Sequence, residues 1–423
     1  MEVKSGTLIL DNGHDFNRVL CTAFGVCRED VPWNDTKVYI NKLLNMGALG
    51  FRTLMNVAWG PAHQAEHGFC FSWNGSIYPL QSQDRSKLNT ELFARIEKVL
   101  QYLKDRNGFL EFGLLDPSCA IVGLAPWYCT WDSGWQMLVD KIGELYAKYG
   151  NIIPETGNEP VKTNAFPRDQ IKDFHVLLVD KLNQAGCNVV GVEISNGVGI
   201  PELAYDSNAN VLFYKTVRTN SDYVIHQTWE ELKTLQAKHK NHVIWGNEPP
   251  RKNYGGWSGD ETHNDWLRWV AYMHVVTGTL FLHHGLSNNH EMPDNPKPFW
   301  GCMPSDFMNI IEPMNELMKK MHTPPAGPKA RDKYYFGPDN SNIKNMVNGM
   351  AYGARRNRMY IIANRADQLT VTFNKKQRYH ILNPVNGTFE SPQVIPAGDH
   401  TFTNKKDRIF FFREFVDQVI EPA

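Results

Sequence analysis

Ile152-Ile153-Pro154-Glu155-Thr156-Gly157-Asn158-Glu159-Pro160 and Val243-Ile244-Trp245-Gly246-Asn247-Glu248-Pro249 share one design: a short apolar run passes directly into Gly-Asn-Glu-Pro. Such a run, closed by Gly and Pro, reads as a buried strand ending in a turn. Working outward, runs at 19–25, 50–57, 110–115, 189–194, 223–226 and 279–283 have the same character, which makes eight strands. Between them, residues 36–46, 89–105, 135–149, 168–185, 230–239 and 263–277 place apolar side chains at three- and four-residue spacing and read as helices. Asn34 or Asp35 is the expected cap of the first helix and Ser86 of the second. Between the fifth and sixth strands only a weak helix, 209–217, is legible. Strand and helix in alternation predict an α/β protein with a parallel sheet, and eight units predict a (β/α)8 barrel.

Flanking segments complete the expected architecture. A hairpin turning at Asn12-Gly13 precedes the barrel, and a helix over 305–321 follows it. The barrel with its hairpin spans 1–322, and the Pro- and Gly-rich stretch 323–332 is a linker. Short alternating strands at 359–363, 369–373, 379–382, 400–402 and 409–412 make 333–423 an all-β sandwich. A chain of 423 residues has room for both.

Composition narrows the function classes. With 44 Lys and Arg against 45 Asp and Glu, no global field draws the chain to nucleic acid or to an anionic membrane. No run of 18 uncharged apolar residues suggests a membrane span. The seven cysteines contain no C-x-x-C pair and read as small core residues. Residues 1–10 lack the apolar core of a signal peptide, so the expected location is the cytoplasm, release by lysis or carriage on a virion, or secretion after loss of a leader. Twelve Trp, 16 Tyr and 22 Phe, many of them in turns, suggest a groove lined with rings.

The two Gly-Asn-Glu-Pro turns fall after strands four and seven, on the barrel rim where active sites are built. Each alone is also an ordinary strand-to-helix turn. Together they place two carboxyls in one bowl, which is what cleavage of a glycosidic bond requires: one to protonate the leaving oxygen, one to attack the anomeric carbon.

This pattern resembles the clan A glycoside hydrolases. The resemblance implies Glu159 as acid/base, Asn158 as the ligand of the sugar 2-hydroxyl, and Glu248 as nucleophile. Asn264-Asp265-Trp266-Leu267-Arg268-Trp269 and the turn Asn383-Pro384-Val385-Asn386-Gly387-Thr388 are similar to segments of apiosidase-like barrels with a C-terminal β-domain. Where many clan members carry His after strand three, this chain has Leu115-Asp116-Pro117-Ser118; Asp116 either bonds a sugar hydroxyl or caps the turn. The clan often uses a sixth-strand Tyr or His beside the nucleophile, for which His226 is the candidate, a structural histidine being the alternative. Trp59, Trp127, Trp229 and Trp257 are candidate sugar platforms in rim loops, or core anchors.

Rival chemistries are weaker. His63-Gln64-Ala65-Glu66-His67 matches a zinc-peptidase spacing, but it follows Gly60-Pro61 and has no third ligand downstream. His283-His284 reads as polar lining, and Arg251 and Lys252 as a solvated basic turn. The expectation is therefore a retaining glycoside hydrolase with a carbohydrate substrate and no metal or organic cofactor. A non-catalytic polysaccharide-recognition barrel and a transglycosylase are the alternatives.

Overall fold

The computed structural model describes residues 1–4, 7–9, 19–23, 25–54, 70–73, 83–115, 129–161, 166–195, 198–215, 223–247, 261–277, 279–283, 312–314, 317, 337–356 and 358–415. Eight parallel strands close into a TIM-like barrel in sequential order: β1 (Val19–Thr22), β2 (Gly50–Leu54), β3 (Phe109–Gly113), β4 (Ile152–Glu155), β5 (Gly191–Glu193), β6 (Val211–Lys215), β7 (Val243–Asn247) and β8 (Leu280–His283). In chain order they alternate with α1 (Trp33–Asn45), α2 (Thr90–Lys104), α3 (Ser133–Tyr149), α4 (Arg168–Gln184), the single turn α5 (Leu203–Asp206), α6 (Tyr223–Lys238) and α7 (Glu261–Thr277). A two-stranded hairpin, Phe71–Trp73 with Gln83–Leu88, precedes α2.

Strands β2, β3, β4 and β7 are buried at every residue, as parallel strands covered on both faces must be. Register decides which side chains fill the barrel. Partners in a parallel pair point the same way, so Thr22, Arg52, Glu111 and Ile153 form one interior row, and Leu54, Gly113, Glu155 and Gly191 another. The glycines leave room for their neighbours. A Cβ on Gly113 would lie 2.3 Å from Leu54 Cδ2, and one on Gly191 would lie 2.1 Å from Phe213 Cε2.

Helix starts follow local chemistry. Asn89 accepts from the Leu92 N–H at 3.2 Å and starts α2, whereas the expected cap Ser86 lies in the hairpin, bonded to Asp84 at 2.6 Å. Pro32 takes the position before α1, without a side-chain cap, and Asn34 and Asp35 fall inside its first turn.

The sixth strand differs from expectation. Residues 223–226 open helix α6, and β6 is Val211–Lys215, within the stretch read as a weak helix. A continuous run such as Val211-Leu212-Phe213-Tyr214 has no periodicity to separate a buried strand from a buried helix. The burial of Val224, Ile225, Thr228, Trp229 and Leu232 shows the helical period that 223–226 alone is too short to reveal.

The chain gathers into two compact units: 1–216, 241–258 and 281–307 form one, and 217–240, 259–280 and 308–423 the other. The expected linker 323–332, most of the helix expected at 305–321 and the turn at Asn12-Gly13 lie outside the described residues. In the second unit, nine strands continue the chain: β9 (Gly337–Pro338), β10 (Ile343–Val347), β11 (Ala351–Arg356), β12 (Met359–Asn364), β13 (Gln368–Phe373), β14 (Gln377–Leu382), β15 (Gln393–Ile395), β16 (Gly398–Thr403) and β17 (Arg408–Glu414). They form a six-stranded sheet, β9-β11-β12-β17-β14-β15, and a three-stranded sheet, β10-β13-β16, both antiparallel. Tyr360, Ile362, Tyr379, Phe410 and Phe412 of the first meet Leu369, Val371 and Phe373 of the second in one core, which makes this a β-sandwich. Helices α6 and α7 pack within the same unit: Trp229 lies 5.4 Å from Tyr352, and Arg365 bonds Asp265 at 3.2 Å.

Candidate active site at the strand ends

Strand β4 ends at Glu155, and the chain turns through Thr156, Gly157 and Asn158 to Glu159. Glu159 sits at φ 47°, a left-handed conformation that costs a residue with a side chain about 1 to 2 kcal/mol. Its neighbours hold it there. The Asn158 N–H donates to the Leu115 carbonyl at 2.8 Å, and the Glu159 N–H donates to Glu193 Oε2, at the end of β5, at 2.7 Å. Beneath the turn, His175 of α4 pairs its Nδ1 with Thr156 Oγ1 at 2.8 Å. Complete burial pushes the His175 imidazole down to about 4, so it is neutral at physiological pH.

The turn presents a nearly sealed carboxylate. Glu159 is 6% exposed and Asn158 1%. Lys215, the last residue of β6, brings Nζ within 2.7 Å of Glu159 Oε1 and 3.9 Å of Glu193 Oε1. On the other flank, Arg52 of β2 bonds Glu111 Oε1 at 2.8 Å, Glu155 Oε2 at 2.9 Å and Asn158 Oδ1 at 3.2 Å, with no exposed surface on any of the three charged side chains. Burial pushes the Glu111 carboxyl well above the usual carboxylate range; Arg52 opposes the rise, and Glu155 adds to it. Asn247, in register with Lys215, is wholly buried, and neither polar atom of its side-chain amide has a hydrogen-bond partner among the described residues.

The structure brings Glu159 and Asn158 together at the strand ends. Glu248, Trp257, Asp116, Trp59 and Trp127 lie outside the described residues, as do Arg251, Lys252, His284 and the 63–67 segment. His226 and Trp229 lie on a helix, not on a strand or in a loop. Both sit on α6 in the second unit, 6.2 Å and 5.4 Å from the Tyr352 ring, and Trp229 is 1% exposed. Trp229 is a core residue with no face open to a sugar; the rim placement followed from reading 223–226 as a strand.

Arg52, Glu111, Glu155, Glu193 and Lys215 were not singled out from sequence, although a signal was present. Each is the lone ionisable residue in an apolar strand, and a charge buried on both faces must be paired. Among the described residues no group of three or more His, Cys, Asp or Glu is arranged to hold a metal, and no helix is long and apolar enough to cross a membrane. Cys21, Cys27, Cys70, Cys129 and Cys187 are buried free thiols; burial raises Cys129 and Cys187 to about 12.

No known family model and no curated protein sequence matches the chain. Solved structures do. A family 5 glycoside hydrolase from Bacteroides vulgatus ATCC 8482 aligns with 100% of this chain and 95% of its own, at 13% identity and a TM-score of 0.72. A second glycoside hydrolase covers 98% and 96% at 13% identity, with a TM-score of 0.68. A family 30 endoxylanase from Clostridium papyrosolvens C71 covers 98% and 99% at 10% identity, with a TM-score of 0.53. At these identities the likeness establishes the fold alone, a TIM-like barrel.

Proposed function

We propose that the chain is a retaining glycoside hydrolase, a (β/α)8 barrel with a C-terminal sandwich that cleaves O-glycosidic bonds in a poly- or oligosaccharide. The observation that carries this reading is Glu159: a carboxylate 6% exposed at the end of β4, on a backbone held at φ 47°, beside an Asn158 bonded by Arg52. The names of the proteins that share its fold agree with it. Glu248 follows Asn247, which ends β7, and is the second carboxyl of the pair. Asp116, Trp59, Trp127 and Trp257 remain the candidate sugar contacts.

In the first step a Glu248 oxygen bonds to the anomeric carbon while the glycosidic C–O bond breaks. Its electron pair stays on the leaving oxygen, which takes the proton from Glu159. In the second step Glu159 takes a proton from water, the water oxygen attacks the anomeric carbon, and Glu248 departs as carboxylate. An acceptor hydroxyl in place of water would give transglycosylation. A non-catalytic recognition barrel is the competing reading, favoured by the Lys215 ammonium 2.7 Å from Glu159, which opposes the proton an acid catalyst must hold.

The test is a polysaccharide panel read by released reducing ends, followed by NMR of the first-formed anomer. Glu248→Gln should lower kcat by about 10^4 or more on every substrate. Glu159→Ala should be mild on an activated aryl glycoside, and azide should restore its rate as a glycosyl azide of retained configuration. Inversion in the wild type, or full activity after either substitution, would sink the assignment.

A further inference from the structure

An acid catalyst must hold a proton, yet an ammonium 2.7 Å away favours the carboxylate form of Glu159. Lys215 is 8% exposed at its side chain, so solvent screens the pair little. Its backbone N–H donates to Ser195 Oγ at 2.8 Å, which fixes the strand end and leaves the four-carbon stem to choose where the charge lies. Among the described residues the ammonium has two carboxylates in reach, Glu159 Oε1 at 2.7 Å and Glu193 Oε1 at 3.9 Å. They are tied together, because Glu193 Oε2 accepts the Glu159 N–H at 2.7 Å.

We propose that Lys215 is a positioning residue whose charge is divided between Glu159 and Glu193, and that this division sets the pH at which Glu159 takes up its proton. The proposal rests on the reading of Glu159 as acid/base. Arg52 of β2 is engaged by Glu111 of β3, Glu155 of β4 and Asn158; His175 of α4 is neutral against Thr156; and Asn247 of β7 carries no charge. By their charges and distances Lys215 and Glu193 act on Glu159 with opposite signs. The ammonium draws the proton off, and the second carboxylate both repels a charge on Glu159 and competes for the ammonium. After Glu159 gives its proton to the leaving oxygen, the ammonium stabilises the carboxylate that must then act as base, while Lys215 keeps its own protons throughout.

The test needs no substrate. With glutamate carboxyl carbons labelled by 13C, the Glu159 signal is assigned by its loss in Glu159→Gln and titrated by NMR. The wild-type midpoint should lie below the ordinary glutamate value of about 4.3. Lys215→Met should raise it by about 1 to 3 pH units, Lys215→Arg should leave it near wild type, and Glu193→Gln should lower it. A wild-type midpoint at or above the ordinary value overturns the proposal, as does a shift of the same sign, or none, in Lys215→Met and Glu193→Gln. If Lys215→Met does not fold, the wild-type and Glu193→Gln titrations decide. Azide rescue of Glu159→Ala, measured in parallel on a panel of 4-nitrophenyl glycosides, tests the acid/base reading separately: its failure retracts that reading and leaves the titrations standing.

Discussion

The inside of the barrel and the inside of the sandwich are both closed to water, yet they are filled by opposite chemistry. The sandwich core is aliphatic and aromatic, with Phe373 and Phe412 ring centres 4.7 Å apart and Phe410 stacked on Phe412 at 5.9 Å. Its buried Asn364 satisfies itself on backbone, donating to the Ala366 carbonyl at 3.0 Å and the Lys405 carbonyl at 2.8 Å. In the barrel, strands β2 to β6 bury Arg52, Glu111, Glu155, Glu193 and Lys215. Stability alone does not select such a set, since well-packed apolar residues of similar volume do as well or better. The difference marks which core is shaped by chemistry as well as by folding.

The sharpest way to break this contrast is Arg52→Met, which keeps much of the volume and removes the charge. In an apolar core a change of similar size costs little. Here it leaves the buried Glu111 and Glu155 without their cation and takes a donor from Asn158, so the loss of stability should be about 3 to 5 kcal/mol. Urea unfolding measures it. A loss below about 1 kcal/mol would mean that the barrel centre behaves like the sandwich.

Trp229→Ala tests the other core. The side chain is 1% exposed against Tyr352, so removal should leave a cavity and cost about 3 to 5 kcal/mol, while kcat/KM of the folded protein stays near wild type. Unchanged stability with lost activity would return Trp229 to a sugar subsite.

How much of this was legible depended on what each signal could resolve. The two Gly-Asn-Glu-Pro motifs mark the ends of β4 and β7, the first beginning just past Glu155 and the second with Gly246 and Asn247 still in the strand, because Gly and Pro punctuate a chain whatever surrounds them. Strand β6 is hidden because Val211-Leu212-Phe213-Tyr214 has no alternation, and reading 223–226 as the sixth strand puts His226 and Trp229 at a strand end rather than on α6. The charge network was visible only as single ionisable residues in apolar strands. Which of them meet is set by register across the barrel, such as Arg52 beside Glu111 and Phe213 beside Glu193, and sequence spacing does not contain register.

The smallest expected effect separates the two cores by pH. His175 is completely buried beneath the Glu159 turn and held down to about 4, whereas the sandwich histidines, His380 and His400, are only partly buried. In the unfolded chain an imidazole takes its proton near 6.5, so between that pH and about 4 the unfolded state binds the proton and the native state does not. The stabilising contribution is therefore fully present above 6.5 and is lost as pH falls towards 4, by about 3 kcal/mol in all. Carboxylates titrate in the same window, so the informative quantity is the difference between wild type and His175→Gln, which keeps a polar partner for Thr156 and carries no titration. Urea unfolding at steps from pH 7 to 4 should show the wild type losing about 3 kcal/mol more than the variant. Parallel curves would mean that His175 takes its proton without opening the barrel, and that the turn carrying Glu159 tolerates a charge beneath it.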